Sequence, residues 1–381
     1  MSAASPQPIT YAAAGVDTHA GDKAVELMKE AVAATHGPEV LGGVGAFAGL
    51  LDVSALKDYE RPLLASSTDG VGTKIAIARA LDIHDTIGQD LVAMVVDDIV
   101  VLGAKPLAMT DYIACGKVVP ERIADIVRGI AEGCRLAGCA LVGGETAEHP
   151  GLMAPEDYDV AGAAVGVVEA SKVLGPERVE AGDVIIGMDS SGLHSNGYSL
   201  VRAVIDAAGL GWDTHVEELG RTLGEEALEP TRIYTRDLLD LLESPAGEGV
   251  HALCHVTGGG LAANLARVVP AGLGAAVDRA TWTPGAIFER VSTWGSVPLA
   301  DLEATLNMGL GMVAVVSADA ADAVLAQLES AGLPSRAIGR IHPQDALAAP
   351  RPSTSDVLVS GTKGVDGGAV LMTGTHPGWG A

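Results

Sequence analysis

The stretch from Pro120 to Glu145, PERIADIVRGIAEGCRLAGCALVGGE, decides the fold class. Pro120 sits where a first helical turn tolerates proline, Ile123, Ile126, Val127 and Ile130 recur at helical spacing, and Gly138 closes the segment. Ala140, Leu141 and Val142 then read as a short buried strand that meets Gly143, Gly144 and Glu145. Upstream, Leu107 to Ala114 alternates as a strand does. Helical and strand periods that alternate in this way point to an α/β (α+β) protein.

The same alternation extends outward. Asp22 precedes a helical run of Val25, Met28 and Val32 that Gly37 and Pro38 stop, and Asp85 to Leu102 reads as a long helix ended by Gly103. Leu63 to Ser66 reads as a short buried strand entering a polar turn, Ser67 to Gly70, and Val160 to Val168 is rich in Val, Ala and Gly. The polar segment Ser171 to Asp183 marks a boundary. Beyond it the sequence predicts strands at Val184–Met188 and Ala252–Val256, and helices at Tyr198–Ala208, Thr231–Leu242 and from Gly260 through Val268. From Pro343 the periodicity fades, so the expected organisation is 1–172, 173–343 and a disordered tail over 344–381.

Among 381 residues, 24 Lys and Arg face 49 Asp and Glu, a net charge of −25. That surplus excludes a non-specific nucleic-acid binder, and an aromatic content of 3% leaves no base-stacking platform. Small molecules are the expected ligands. Cys115, Cys134, Cys139 and Cys254 form no C-x-x-C pair and read as core thiols. The N-terminus carries no basic signal region and no apolar run is long enough to span a bilayer, so a soluble, cytoplasmic protein without membrane contact is expected.

No P-loop motif occurs. Gly43–Ala48 and Gly309–Ala314 fit G-x-G-x-x-[GA], but no strand precedes the first and a β-branched run follows the second, so a Rossmann unit is rejected. Ser67 to Lys74 is more informative. Asp69 is a carboxylate for Mg²⁺, Gly70 and Gly72 offer backbone N–H groups to a phosphate, Thr73 adds a hydroxyl and Lys74 a cation; an ordinary polar hairpin is the equal alternative. On the long helix, Leu91, Val95, Asp98 and Leu102 share one stripe, which predicts a ligand or cation partner for Asp98, whereas Gln89, Asp90 and Asp97 read as solvent-facing. Glu145 could join Asp69 and Asp98 as an oxygen ligand. His194, Ser195 and Asn196 precede a helix, and Gly258, Gly259 and Gly260 follow a strand; both places suit an anion.

These residues, in this order, resemble the phosphoribosylformylglycinamidine cyclo-ligase family, also called AIR synthetases, of the PurM-like ATP-binding superfamily. The likeness runs through Tyr11–Asp17, Pro38–Phe47, Ser67–Lys74, His84–Gly88, Leu136–Glu148, Glu156–Gly162, His194–Leu200 and Pro230–Tyr234. It is nearly continuous from Ile9 to His342. Asp98, Gly103, Ala104 and Pro106 fit the family's ATP signature D-x-x-x-x-G-A-x-P, with Asp97 and Lys105 standing where the family commonly has Asn and Glu.

The resemblance implies ATP- and Mg²⁺-dependent ring closure of formylglycinamidine ribonucleotide to 5-aminoimidazole ribonucleotide, ADP and phosphate. It implies that Asp69, Lys74, Asp98 and His194 are catalytic and that Asp69, Asp98 and Glu145 hold metal. Lys29, Gly43, Gly45, Asp98, Gly103, Ala104 and Pro106 would bind ATP. Gly70, Gly72, Thr73, His194, Ser195, Asn196, Gly258 and Gly259 would bind the ribonucleotide. It further implies a homodimer in which the N-terminal sheets form a shared barrel beside C-terminal α/β domains. A thiamine-monophosphate kinase-like enzyme and a non-catalytic nucleotide-binding regulator are the alternatives; the acids at 69, 98 and 145 speak against the regulator. Since the proposed ligands are anions, a charge of −25 opposes their approach, and binding must be local.

Overall fold

The computed structural model describes residues 15–43, 45–348, 356–361 and 367–379. Tyr11–Ala14 of the family-like opening, Val44 of the glycine-rich loop and tail positions 349–355, 362–366, 380 and 381 lie outside the described residues.

The first helix, α1 (Thr18–Ala33), begins at Asp17, whose carboxylate accepts from the backbone N–H groups of His19 and Ala20. Two-residue strands β1 (Val40–Leu41) and β2 (Leu50–Leu51) pair across the glycine-rich loop. There follow β3 (Pro62–Gly70), α2 (Ile75–Leu81), α3 (Ile87–Val100), β4 (Lys105–Cys115), α4 (Pro120–Ala137), β5 (Ala140–Glu148) and β6 (Tyr158–Glu169). Their sheet runs β3-β6-β4-β5, with β4 and β5 parallel across α4 and the other neighbours antiparallel. Leu91 and Val95 of α3 and Ile126 and Ile130 of α4 pack with Met109, Leu141 and Val160 on one face.

Two expectations change here. The polar turn expected at Ser67–Gly70 is strand: Asp69 pairs with Gly162 and Gly70 with Ala161. Leu64, expected in a buried strand, is 72% exposed, because among the described residues no element covers the sheet face opposite α3 and α4. The strand from Ala140 likewise continues through both glycines to Glu148. Gly144 fits there because a Cβ would overlap the carboxylate of Asp111 on β4.

The second half contains β7 (Val184–Asp189), α5 (Tyr198–Ala207), β8 (His215–Val216), β9 (Arg221–Thr222), α6 (Leu223–Ala227), α7 (Thr235–Glu243), β10 (Val250–His255) and α8 (Gly260–Leu265). After these come β11 (Leu273–Asp278), α9 (Ala286–Gly295), α10 (Leu299–Glu303), β12 (Leu310–Val316), α11 (Ala321–Ser330), β13 (Ser335–Pro343), β14 (Val357–Ser360) and β15 (Ala369–Thr373). Seven strands form one sheet, β10-β12-β7-β13-β11-β15-β14. Leu261 and Leu265 of α8 pack with Val313, Val315 and Val277, while Leu238 of α7 and Val324 and Leu328 of α11 pack with Ile186, Met312 and Ala314. Gly309–Ala314 runs into β12, a strand where a Rossmann motif needs a helix.

The tail expected to be disordered from 344 contributes two strands to that sheet, and this corrects the sequence reading. Ala369, Val370, Leu371 and Met372 are buried as β15 pairs in parallel with β11. Four apolar residues suffice because β11 supplies the template, and a run that short among Gly, Pro and Ser carries no period to detect. His376 then packs edge-on against Trp282 and Trp379, while Arg279 grips Glu303 at 2.6 and 2.8 Å and donates to the Gly374 carbonyl.

Candidate active site

The helix α3 joins the halves through its acids. At about 100° per residue, Asp90 and Asp97 fall on nearly one side, the side expected to face solvent. Both are fully buried, because the extended segment before α7 docks against it. Thr231 donates to Asp90 from its N–H at 2.8 Å and its hydroxyl at 2.5 Å, and Lys74 donates at 2.9 Å. Tyr234 N–H and the Thr235 hydroxyl donate to Asp97. Burial pushes the Asp97 carboxyl up to about 6, against the opposing pull of the His255 charge. These bonds also explain why α7 starts at Thr235 and not at the expected Thr231: backbone N–H groups of 231 and 234 are spent on α3.

Lys74, expected as a phosphate cation, is corrected to a structural one. It has no exposed surface, and its ammonium donates to Asp90, to the His194 carbonyl at 3.1 Å and to the Glu229 carbonyl at 2.7 Å, which uses all three protons. Burial holds its pKa below the usual lysine range even with Asp90 beside it.

Asp98 takes the position its stripe predicts. Its side chain is 43% exposed, and its carboxylate accepts from Nδ1 of the buried His255 at 2.9 Å. Burial alone lowers the His255 pKa, but the bond to Asp98 and the charges of Asp97, Asp98 and Asp69 raise it overall. Asp69 lies close by: burial first, and then the negative charge of Asp98, raise its pKa. Asp98 and His255 line a cavity of about 490 Å³ between the halves, together with Ser66, Ser67 and Arg267. Sequence reasoning missed His255 and Arg267. His255 stands three residues before the triple glycine, a signal that was present, whereas Arg267 follows α8 with no motif to mark it.

The remaining predicted residues divide. Gly72 and Thr73 are exposed at the end of β3, and the Thr73 hydroxyl meets that of Ser199 at the start of α5, 3.2 Å away. Asn196 sits beside Gly258, close enough that a Cβ there would touch its Oδ1 at 3.2 Å. These join into one rim. Ser195 is buried against Thr231. His194 is 2% exposed in a left-handed backbone conformation, φ 62°, with Nε2 accepting from Ser191 N–H. Burial and then the nearby charges of His255, Lys74 and Arg232 push its pKa well down, and so buried a ring does not reach the open cleft. Gly103 forms the αL turn after α3 at φ 76°, and Ala104 and Pro106 are buried; of the ATP signature, Asp98 alone opens on the cleft.

Glu145 is corrected as a partner of Asp69. In-register pairing sets Asp69, Gly162, Asp111 and Gly144 in one row across the sheet, so the strands of Asp69 and Glu145 lie three spacings apart, roughly 14 Å. Among the described residues no three His, Cys, Asp or Glu side chains converge on one ion. Glu145 instead lines a second cavity, about 390 Å³, enclosed by α1, the glycine-rich loop with Gly43 and Gly45, and β5. Lys29 is exposed on α1, on the same stripe as Asp22, Val25 and Val32, which line that cavity.

Comparison with known proteins fits this architecture. Residues 48–168 match the model of the N-terminal domain of AIR synthase related protein, and residues 180–349 match its C-terminal domain. The phosphoribosylformylglycinamidine cyclo-ligase of Desulfitobacterium hafniense is 49% identical over 335 residues, 88% of this chain and 97% of that protein. The protein of the same name from Geobacillus sp. WCH70 is 50% identical over 332 residues, 87% and 95% of the two chains. In fold, the chain is similar to thiamine-monophosphate kinase from Stenotrophomonas maltophilia, with TM-score 0.64, 22% identity and coverage of 92% and 96%. It is also similar to the hydrogenase maturation protein HypE in complex with ATP, with TM-score 0.62, 19% identity and coverage of 95% and 97%.

Proposed function

The chain belongs to the AIR synthase family, and from that membership we infer that it is an ATP-dependent ligase that closes formylglycinamidine ribonucleotide to 5-aminoimidazole ribonucleotide in purine biosynthesis. One observation carries this reading: near-half identity sustained over at least 95% of the length of the two relatives described. The kinase-like alternative has only fold likeness behind it.

The chemistry asks for phosphoryl transfer from ATP to the formyl oxygen, attack of the amidine nitrogen on that carbon, and departure of phosphate. Most of the catalytic effect in such transfers is positioning and charge neutralisation. Asp69 and Asp98 are the proposed Mg²⁺ ligands. Their fit rests on Asp69 lying near Asp98, whose negative charge adds to burial in raising it, and on Mg²⁺ commonly taking one or two carboxylates while keeping water and phosphate oxygens. Bound there, the ion would offset phosphate charge. Arg267 replaces Lys74 as the cation of this cleft. Gly70, Gly72, Thr73, Asn196, Gly258 and Gly259 form the ribonucleotide rim, and Lys29, Gly43 and Gly45 border the nucleotide cavity.

A homodimer is supported by the open face of the N-terminal sheet, where Leu64, Val165 and Tyr112 are exposed beside small alanines. A sheet face of this kind is usually covered. Among the described residues no helix is long and apolar enough to cross a membrane.

The test is the purified protein with formylglycinamidine ribonucleotide, ATP and Mg²⁺, followed for aminoimidazole, with its mass in solution measured by sedimentation. Product and a two-chain mass are expected. Intact ATP and no product would overturn the activity, and a one-chain mass the dimer.

A further inference from the structure

Asp111 is used by nothing above. It lies on β4 in register with Gly144, and the overlap that forbids a Cβ at Gly144 places its carboxylate over β5, in the wall of the 390 Å³ cavity. Among the described residues no neighbour donates a hydrogen bond to it; its backbone partner is its own N–H. Its half-buried carboxyl therefore faces the cavity with no donor of its own and is open to a ligand's.

The rest of the cavity narrows the ligand. Val25 and Met28 of α1, Val127 of α4 and Leu141 of β5 give it apolar walls, and Gly43 and Gly45 stand at its border. Asp22, His36, Glu145 and Thr146 also line it, and apolar walls with a few polar groups suit a flat heterocycle, for which Asp111 over β5 offers one polar edge. The row across the sheet sets Asp111 two strand spacings, about 10 Å, from Asp69, a distance that a nucleoside triphosphate spans.

We propose that Asp111 is the residue that selects adenine, accepting from the 6-amino group and donating to ring N1. This rests on the reading of the cavity as the ATP pocket. Burial pushes the Asp111 carboxyl up to about 7, which makes the donating form accessible near neutrality. An ionised carboxylate would accept from the amino group and repel N1, so the two edges match only with the acid protonated.

The test compares ATP with purine riboside 5′-triphosphate, which lacks the 6-amino group, on wild type, Asp111→Leu and Asp111→Asn. The wild type prefers ATP about tenfold or more in kcat/KM, as sites built around a substrate N–H do. Asp111→Leu raises the KM for ATP about tenfold with a smaller change in kcat, and erases the preference. Asp111→Asn presents the same acceptor and a donor, so it keeps both the preference and a KM within about threefold.

Asp111→Leu with wild-type KM and preference would overturn the proposal. So would Asp111→Asn as damaged as Asp111→Leu, since that pattern demands an ionised carboxylate. Val25→Trp, which fills the cavity, separates the two levels: an unchanged KM for ATP places the nucleotide elsewhere, whereas a raised KM beside a silent Asp111→Leu fails Asp111 alone. Thermal melts of each variant exclude misfolding as the cause.

Discussion

Asp98→Asn lowers ATP-dependent turnover by about a hundredfold or more while leaving the fold in place. Removing one group that neutralises developing phosphoryl charge costs roughly 10²- to 10³-fold in comparable sites. The stability cost is small for a definite reason. The Asp98 side chain is 43% exposed, so its ion pair with His255 is screened, and the amide oxygen of Asn still accepts from Nδ1. The loss of stability is about 1 kcal/mol or less. A second readout comes from His255. Its folded-state pKa is raised, so its contribution is complete below the ordinary value of 6.5 and disappears as pH rises through the higher folded-state value. Asp98→Asn weakens that dependence. Chemical denaturation across this pH range, run beside the turnover assay, separates the two roles. Unchanged turnover would remove Asp98 from the metal site.

The fold class was legible in one helix and its flanking strands. Pro120 and Gly138 bound α4 as read, because capping preferences are local and survive packing. Local reading failed where tertiary contacts decide. Asp90 and Asp97 look like a polar, solvated side of α3 until a segment some 140 residues later donates its N–H groups to them. Lys74 looks like a phosphate ligand because it sits in a glycine-rich turn, and only the fold shows that Asp90 claims it. Glu145 shares a glycine context with Asp69, but strand order separates them by the width of the sheet. Asp98 stands out because an unpaired carboxylate on an apolar stripe is a contradiction that sequence alone displays, and the structure gives it His255 as a partner. Asp111, the proposed adenine contact, does not stand out in the sequence, because a lone acid in an alternating strand is no contradiction at all.

Asp90→Ala is expected to destabilise the protein by about 3–5 kcal/mol, the range for removing one member of a buried ion pair. Lys74 has no exposed surface, and burial already opposes its charge. Without Asp90 it keeps two carbonyls, neither a counterion, and Thr231 loses the acceptor of its N–H and hydroxyl. A single domain has only about 5–15 kcal/mol to lose. Because Asp90 ties α3 to the second half, a second, lower unfolding transition is the expected form of the loss. Asp97→Asn is the control of opposite sign. Its carboxyl is raised by burial from an ordinary 3.8 to about 6, so the folded state holds a proton the unfolded state releases, and stability falls as pH rises through that window. Asn keeps an acceptor for Tyr234 N–H and the Thr235 hydroxyl without the buried charge. It therefore stabilises by about 1–3 kcal/mol above pH 6, and by only about half a kcal/mol near pH 4, where folded Asp97 is neutral and the unfolded carboxyl is roughly half ionised. Urea titrations at those two pH values decide both. A loss under about 1 kcal/mol for Asp90→Ala would mean that Lys74 finds water or another anion there, and that the halves are held by the apolar core they share.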